Sequence, residues 1–343
     1  MSSWFRNLHV YRITRDIDYF MPPKGSVMGS GVDDMVATLN FALHSKAWRE
    51  PGSQEISTYG FCPPYPKRQM TLADREEPML EDEIEPEIPE YVRPVQNGRW
   101  LLICTSNVIK AMPSNAIKRA LTKKVAEVEA DQMRKVYKKE RDQLKDEIIQ
   151  AMVVHAPLTE KRTFAAIDTQ DNLIYVDTSS AKRAEDLLST LRECLGSLPI
   201  RPVSVKIRPG ATFTDWVKTE KTAPDFHLLD AAVMEDQADG GGKVAMVHQD
   251  LSSDEARLHV ESGKLVTRIA LGFKDQCGFL LNEKMVFTKL FFNDLIKDQA
   301  EQDGGEDYIG QLDASFFLMM STLSEMVPSV LEALGGEEVP QGI

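Results

Sequence analysis

The chain has 343 residues, 42% hydrophobic and 27% charged, with 53 acidic against 40 basic side chains and a formal net charge of -13. That composition is globular, with enough chain for one large core or two to three packed lobes, rather than that of a disordered or membrane protein. So acidic a whole repels polyanions, so a nucleic-acid role requires cations gathered on one surface.

Trp4 to Arg15 alternates apolar and polar residues (Phe5, Leu8, Val10, Tyr11, Ile13), which predicts an opening strand. Met35, Val36, Leu39, Leu43 and Ala47 recur at helical spacing within Val32 to Trp48. Gly52 to Pro66 is turn-rich, and Asp74 to Pro94, dominated by Glu and Pro, reads as a solvated acidic insertion. Trp100 to Lys110 predicts a strand. Pro113-Ser114-Asn115 then starts a single long helix reaching about Met152. Thr163 to Thr178 predicts a hairpin turning at Gln170-Asp171-Asn172, followed by a helix from Ser180 to Leu195, capped by Ser179-Ser180 and stopped at Gly196. Val203 to Ile207 predicts a strand, and Asp313 to Leu334 a closing helix before Gly335-Gly336. The fold class is α+β, and no fixed-period repeat is present.

The apolar runs, such as Phe316 to Met320, fall far short of the roughly 20 residues of a bilayer span, and the first residues lack a signal-peptide pattern. No membrane association is expected. Cys62, Cys104, Cys194 and Cys277 are widely spaced without a CxxC pair, which argues against zinc ribbons and disulfide frameworks and for a reducing, cytoplasmic setting.

The long helix is where charge departs from the average. Lys118 to Lys145 holds ten Lys or Arg against five Asp or Glu. At about 100° per residue, Arg134, Lys135, Lys138, Lys139, Arg141 and Lys145 fall within an arc of roughly 160°, beside a stripe of Ala130, Met133, Tyr137, Leu144 and Ile148. A face of this kind suits duplex DNA, because each neutralised phosphate releases counterions without any base being read. The alternative is a solvated helix laced by i,i+4 pairs, with Asp131, Glu140 and Asp142 as partners.

Several other patterns invite catalytic readings. Gly240-Gly241-Gly242-Lys243 and Gly263-Lys264 are followed by Val244 and Leu265 where a phosphate-binding loop needs Ser or Thr, so the glycine run is read as a hairpin turn. Asp168 and Asp177 with Asp171 are candidates for a two-metal nuclease, without the usual Glu-x-Lys or histidine company. The six histidines show no HExxH spacing, and no Gly-x-Ser-x-Gly elbow occurs. Neither a metal nor a cofactor is expected.

A longer signal runs through Ile167-Asp168-Thr169, Leu173-Ile174, Val176-Asp177, Ser180-Ala181-Lys182-Arg183-Ala184-Glu185-Asp186 and Leu195-Gly196-Ser197-Leu198-Pro199. With Trp4-Phe5-Arg6-Asn7-Leu8, Gly52-Ser53-Gln54-Glu55, Gln249-Asp250-Leu251 and Gly263-Lys264-Leu265-Val266-Thr267, it resembles the RdgC family of recombination-associated proteins over nearly the whole chain. The resemblance implies a non-enzymatic, sequence-nonspecific binder of double-stranded DNA. It implies a ring-shaped homodimer with a basic hole, association with the nucleoid, and restraint of RecA-dependent recombination.

It further implies a lobe at 1–110 carrying the insertion at 74–94, a helical tip at 111–165, and a C-terminal lobe at 166–343 with a finger near 240–251. Arg134 and Lys264 match basic positions facing the hole, and Lys138, Lys145 and Arg268 join them by position and charge. Where the family's finger commonly shows a Lys-Gln pair, this chain has His248-Gln249. Where the family shows an Arg and an aromatic at the ring gate, it has His155 and Pro157-Leu158. The alternatives are a metal-dependent nuclease at Asp168 and Asp177, or a regulator contacting RecA by protein surface alone.

Overall fold

A computed structural model describes residues 4–21, 30–65, 89–238, 241–305 and 307–339. Two antiparallel sheets organise the chain. The first contains β1 (His9–Ile13), β2 (Ser57–Cys62), β3 (Val92–Val95), β4 (Trp100–Lys110), β5 (Leu158–Asp168), β6 (Leu173–Val176) and β7 (Ile200–Pro202). Its order is β2-β4-β5-β6-β1-β7, with β3 also on β4. The second, in the order β12-β11-β10-β8-β9, is built from β8 (Phe226–Glu235), β9 (Lys243–Val247), β10 (Leu265–Phe273), β11 (Cys277–Asn282) and β12 (Phe287–Phe292).

Helices cover the first sheet because its central strands are apolar on both faces; Trp100 to Thr105 in β4 are all buried. Against one face pack α1 (Ser30–His44) and α4 (Ala181–Leu195). Met35, Leu39 and Leu43 repeat every fourth residue, and Ala184, Leu187, Leu188, Leu191 and Leu195 form a helical stripe, so both helices bury one side with Leu101, Ile103, Ile167 and Ile174. The Ser180 side chain accepts from the Arg183 N–H, and Gly196 ends α4 at a positive φ of 72°.

The other face meets α8 (Tyr308–Ala333), which lies between the two sheets. Phe317 stacks edge-on to Trp100, Ser324 bonds Asp168, and Arg93 of β3 pairs with Asp313. On the second sheet, Met326 meets Cys277 and Glu325 pairs with Lys274. By length and composition α8 is apolar enough to cross a bilayer, which the short uninterrupted runs had not suggested; here its Phe316, Met319, Leu323 and Val327 are core side chains.

The chain ends close onto this core. Glu337 is held by Arg12 (2.8 Å) and Arg201 (2.5 Å), Leu8 pairs with Phe287 across the sheets, and the Phe5 N–H points at Met319 Sδ. The remaining helices are α2 (Ser114–Gln132), α3 (Lys138–Val153), α5 (Pro209–Thr219), α6 (Asp254–Glu261) and α7 (Asp294–Asp303).

Four expectations need correcting. Gly52 to Pro66 is not all turn, since Ser57–Cys62 is a strand paired with β4. Of the insertion at 74–94, residues 74–88 lie outside the described residues, while Val92 and Tyr91 are buried and Val92–Val95 is a strand. The strand placed at Val203 to Ile207 is instead Ile200–Pro202, Val205 making one isolated bridge to Glu337. Finally, the single long helix to Met152 is two helices. Met133 adopts a left-handed φ of 51°, and the chain turns back through Arg134 to Tyr137.

Candidate nucleic-acid interface

β4 and β5 pair over eleven residues each, from Trp100↔Asp168 to Lys110↔Leu158, and α2 and α3 extend the far end of that ladder as a helical hairpin. Each helix buries one residue, Leu121 in α2 and Val153 in α3. Val125, Val128, Leu144 and Ile148 are half-buried, a pattern that two antiparallel helices sharing one narrow seam produce. One straight helix would leave those stripes in water, which explains the break. Glu129 secures the turn by accepting from the Val136 N–H (2.9 Å).

The break changes the cationic surface. Arg134 and Lys135 lie in the turn, off the face carrying Lys138 and Lys145, and Met133 and Tyr137 are 90% and 76% exposed rather than packed. Arg134 donates to both carboxylate oxygens of Glu140 (2.6 and 2.7 Å). This bidentate bond raises the guanidinium pKa and lowers that of Glu140.

Lys123 and Lys124 each reach Glu127 at 4.0 Å. The other seven of the ten cations, Lys118, Arg119, Lys135, Lys138, Lys139, Arg141 and Lys145, are exposed and make no ion pair among the described residues. A helix laced by salt bridges would have looked different, since Asp131 and Asp142 are also without one among those residues. Lys138, Arg141 and Lys145, spaced i, i+3 and i+7, share one side of α3 within roughly 60°. Arg141 was legible in that spacing and belongs with the other two.

Lys138, Lys139 and Arg141 also crowd the start of α3, whose N-cap Tyr137 makes no side-chain capping bond. Cations at a helix N-terminus oppose the macrodipole by about 0.3–1 kcal/mol each, so the placement serves no folding purpose, whereas uncapped N–H groups and cations together favour an anion.

The proposed gate residues sit at the root of this hairpin. His155 is exposed just after α3, the Pro157 carbonyl accepts from the Ala111 N–H (2.8 Å), and Leu158, half exposed, opens β5.

The second group of candidates lies on the other sheet. Lys264 follows Gly263 (φ 95°) between α6 and β10, half-buried, with Nζ 3.5 Å from Ser262 Oγ. Arg268 is exposed on β10 opposite Asn282 and Val233. β8 and β9 form the hairpin read as a finger; Gly240 lies outside the described residues, and Glu235 pairs with Lys243 across it. At its base the His248 Nδ1 meets Asp230 Oδ2 at 2.7 Å, holding that carboxyl below its usual range, and the Gln249 N–H donates to the Asp230 carbonyl.

The nuclease candidates are occupied. Asp168 is fully buried; Oδ2 accepts from Trp100 Nε1 (2.8 Å) and Ser324 Oγ (3.0 Å), and Oδ1 accepts from the backbone N–H groups of Gln170 and Asp171. Asp177 Oδ1 accepts from the Arg6 and Asn7 N–H groups. Both carboxylates brace the β1–β6 region against its neighbours. Lys110, buried at the end of β4, likewise serves structure by donating to the Gly52 and Ser53 carbonyls.

Comparison with known proteins covers this whole arrangement. The family model described as "Putative exonuclease, RdgC" matches residues 89–337. The chain is similar to the "Recombination-associated protein RdgC" of Pseudomonas syringae pv. tomato and of Pseudomonas aeruginosa, at 47% identity over 340 residues, covering 99% of this chain and 100% of each relative. The Pseudomonas putida protein of that name is 44% identical over the same span. The chain therefore belongs to the RdgC family of recombination-associated proteins.

Proposed function

We propose that this protein binds double-stranded DNA without reading sequence, acts as a ring-forming homodimer with Lys264, Arg268 and the α2–α3 cations toward the duplex, and restrains RecA by occupying its substrate. The observation that carries the reading is the set of seven exposed cations on the helical hairpin with no carboxylate partner among the described residues, in a chain whose net charge is -13. Charge left unmatched on a protruding element of an acidic protein is charge available to phosphates. The recombination-associated name of the relatives supports that partner. We read the chain as a binder rather than a nuclease because Asp168 spends both its oxygens, and Asp177 its Oδ1, on protein donors.

The test is binding to unrelated duplexes across a salt series, with particle mass measured free and on a circular duplex. The reading expects sequence-indifferent affinity falling steeply with salt and a two-chain particle that stays on closed circles. Salt-indifferent or strongly sequence-selective binding rejects it. Incubating the same DNA with magnesium or manganese tests cutting, and RecA inhibition that survives loss of DNA binding favours direct protein contact.

A further inference from the structure

Cys62 and Cys104, 42 positions apart in sequence, are brought directly opposite each other in the β2–β4 register. Opposed residues of an antiparallel pair point to the same face with Cα atoms about 4.5–5.5 Å apart, inside the range a disulfide spans. Both thiols are reduced and buried, Cys62 at 7% exposure and Cys104 at 0%. Phe164 continues the row on β5 opposite Cys104, and the Arg162 guanidinium lies over its ring. Arg162 Nη2 is 3.5 Å from Cys62 Sγ and also donates to the Pro63 carbonyl. A cation, a thiol and a second thiol therefore form one node where the chain leaves β2.

We propose that Cys62 and Cys104 are a reversible redox pair, in which Cys62 is oxidised by a hydroperoxide and Cys104 resolves it to an intrachain disulfide. The Cys62 thiolate attacks one peroxide oxygen, the O–O bond breaks, and sulfenic acid and hydroxide form. Cys104 Sγ then attacks the Cys62 sulfur, the S–O bond breaks, and the Cys104 proton leaves with the hydroxyl as water. Two thiols and hydrogen peroxide thus give one disulfide and two waters, the sulfurs losing the two electrons that the peroxide gains.

The asymmetry of the node assigns the roles. The adjacent Cys104 thiol and the charge of Arg162 lower the Cys62 pKa against the opposing effects of burial and of Glu160, whereas burial raises that of Cys104. The disulfide would pin β2 to β4 and close the segment that carries residues 66–88 and returns as β3 on β4. In a reducing compartment such a bond is transient, which suits a sensor rather than a staple.

The full-length protein is exposed to equimolar hydrogen peroxide at pH 7, and its thiols are counted by maleimide labelling after denaturation. Labelled thiols should fall from four to two, a Cys62–Cys104 cross-linked peptide should appear, and dithiothreitol should restore all four. Cys194 is the most exposed of the four cysteines, so reaction governed by access alone would consume it first. The node predicts loss of Cys62 at least about tenfold faster. Cys104→Ser should replace the cross-link by a sulfenic acid at Cys62 trapped by dimedone, and Arg162→Gln should slow oxidation. If Cys104→Ser does not fold, Cys62→Ser should leave Cys104 reduced under the same exposure. Four persistent thiols, prior loss of Cys194, or a cross-link between two chains overturns the proposal.

Discussion

Replacing Lys138, Arg141 and Lys145 together by Gln removes three cations from one side of α3 while leaving every ion pair among the described residues intact. If each meets one phosphate, the slope of log affinity against log salt becomes shallower by about 2.7, because each neutralised phosphate of B-DNA contributes about 0.9. The same relation predicts a loss of about 200-fold at 0.15 M salt and about 3,000-fold at 0.05 M. The folded state should not suffer. All three side chains are exposed, and two of them stand at the N-terminal end of α3, where removing positive charge favours the helix. Fluorescence anisotropy with one labelled duplex at five salt concentrations reads the slope, and thermal unfolding reads the stability. A triple variant with unaltered melting temperature, slope and affinity refutes the assignment of this helix to DNA.

Arg134 is neutralised by Glu140 in the free protein, so Arg134→Gln should change duplex affinity less than twofold, while Glu140→Gln should free the guanidinium and tighten binding roughly fivefold at 0.15 M salt. A clear loss in Arg134→Gln alongside tighter binding in Glu140→Gln would show that the ion pair opens on binding. Asp168→Asn places an amide NH2 among donors from Trp100, Ser324 and the 170–171 backbone, and should cost about 2–4 kcal/mol in urea unfolding with an unchanged m value. Burial lowers the His9 pKa, so the fold prefers the neutral ring. Its stabilising contribution is present above the unfolded value of 6.5 and is lost as pH falls through the lower folded value. His9→Gln should flatten the fall in unfolding free energy below pH 6.5, and an unchanged pH profile would count against it.

The elements read most directly from the sequence are those with a single strong period. β4, the β5–β6 hairpin and α4 fall within a few residues of their patterns, because alternation or an i, i+3, i+4 stripe matched the surface each one buries. β2 was hidden by its composition. Gly60 is there because a Cβ would sit 2.6 Å from the Lys46 carbonyl and the Trp48 nitrogen, so close backbone approach looked like a turn. The α2–α3 break carries neither Gly nor Pro. Met133 takes the left-handed conformation at a cost of about 1 kcal/mol that the shared seam offsets, and no local signal marks it. Net positive charge on this region was legible from counting, but which cations were already matched was not, since Arg134 and Glu140 face each other only after the chain turns. The Cys62–Cys104 juxtaposition depends on strand register and has no one-dimensional trace.

The latch of Glu337 onto Arg12 joins positions 325 residues apart, and Phe5 and Leu8 rest on α8 and β12. During synthesis, domains ordinarily fold from the N-terminus as they emerge at about 5–20 residues per second. Here β1 finds its sheet partners β6 and β7 by residue 202, but Phe5 and Leu8 lack their packing partners until Phe287 and Met319 have left the ribosome, a wait of roughly 15–60 seconds at that pace. A nascent chain of this protein therefore carries an uncovered apolar sheet face through most of its translation, and a premature stop in the last helix would release a polypeptide whose first sheet lacks the cover of α8.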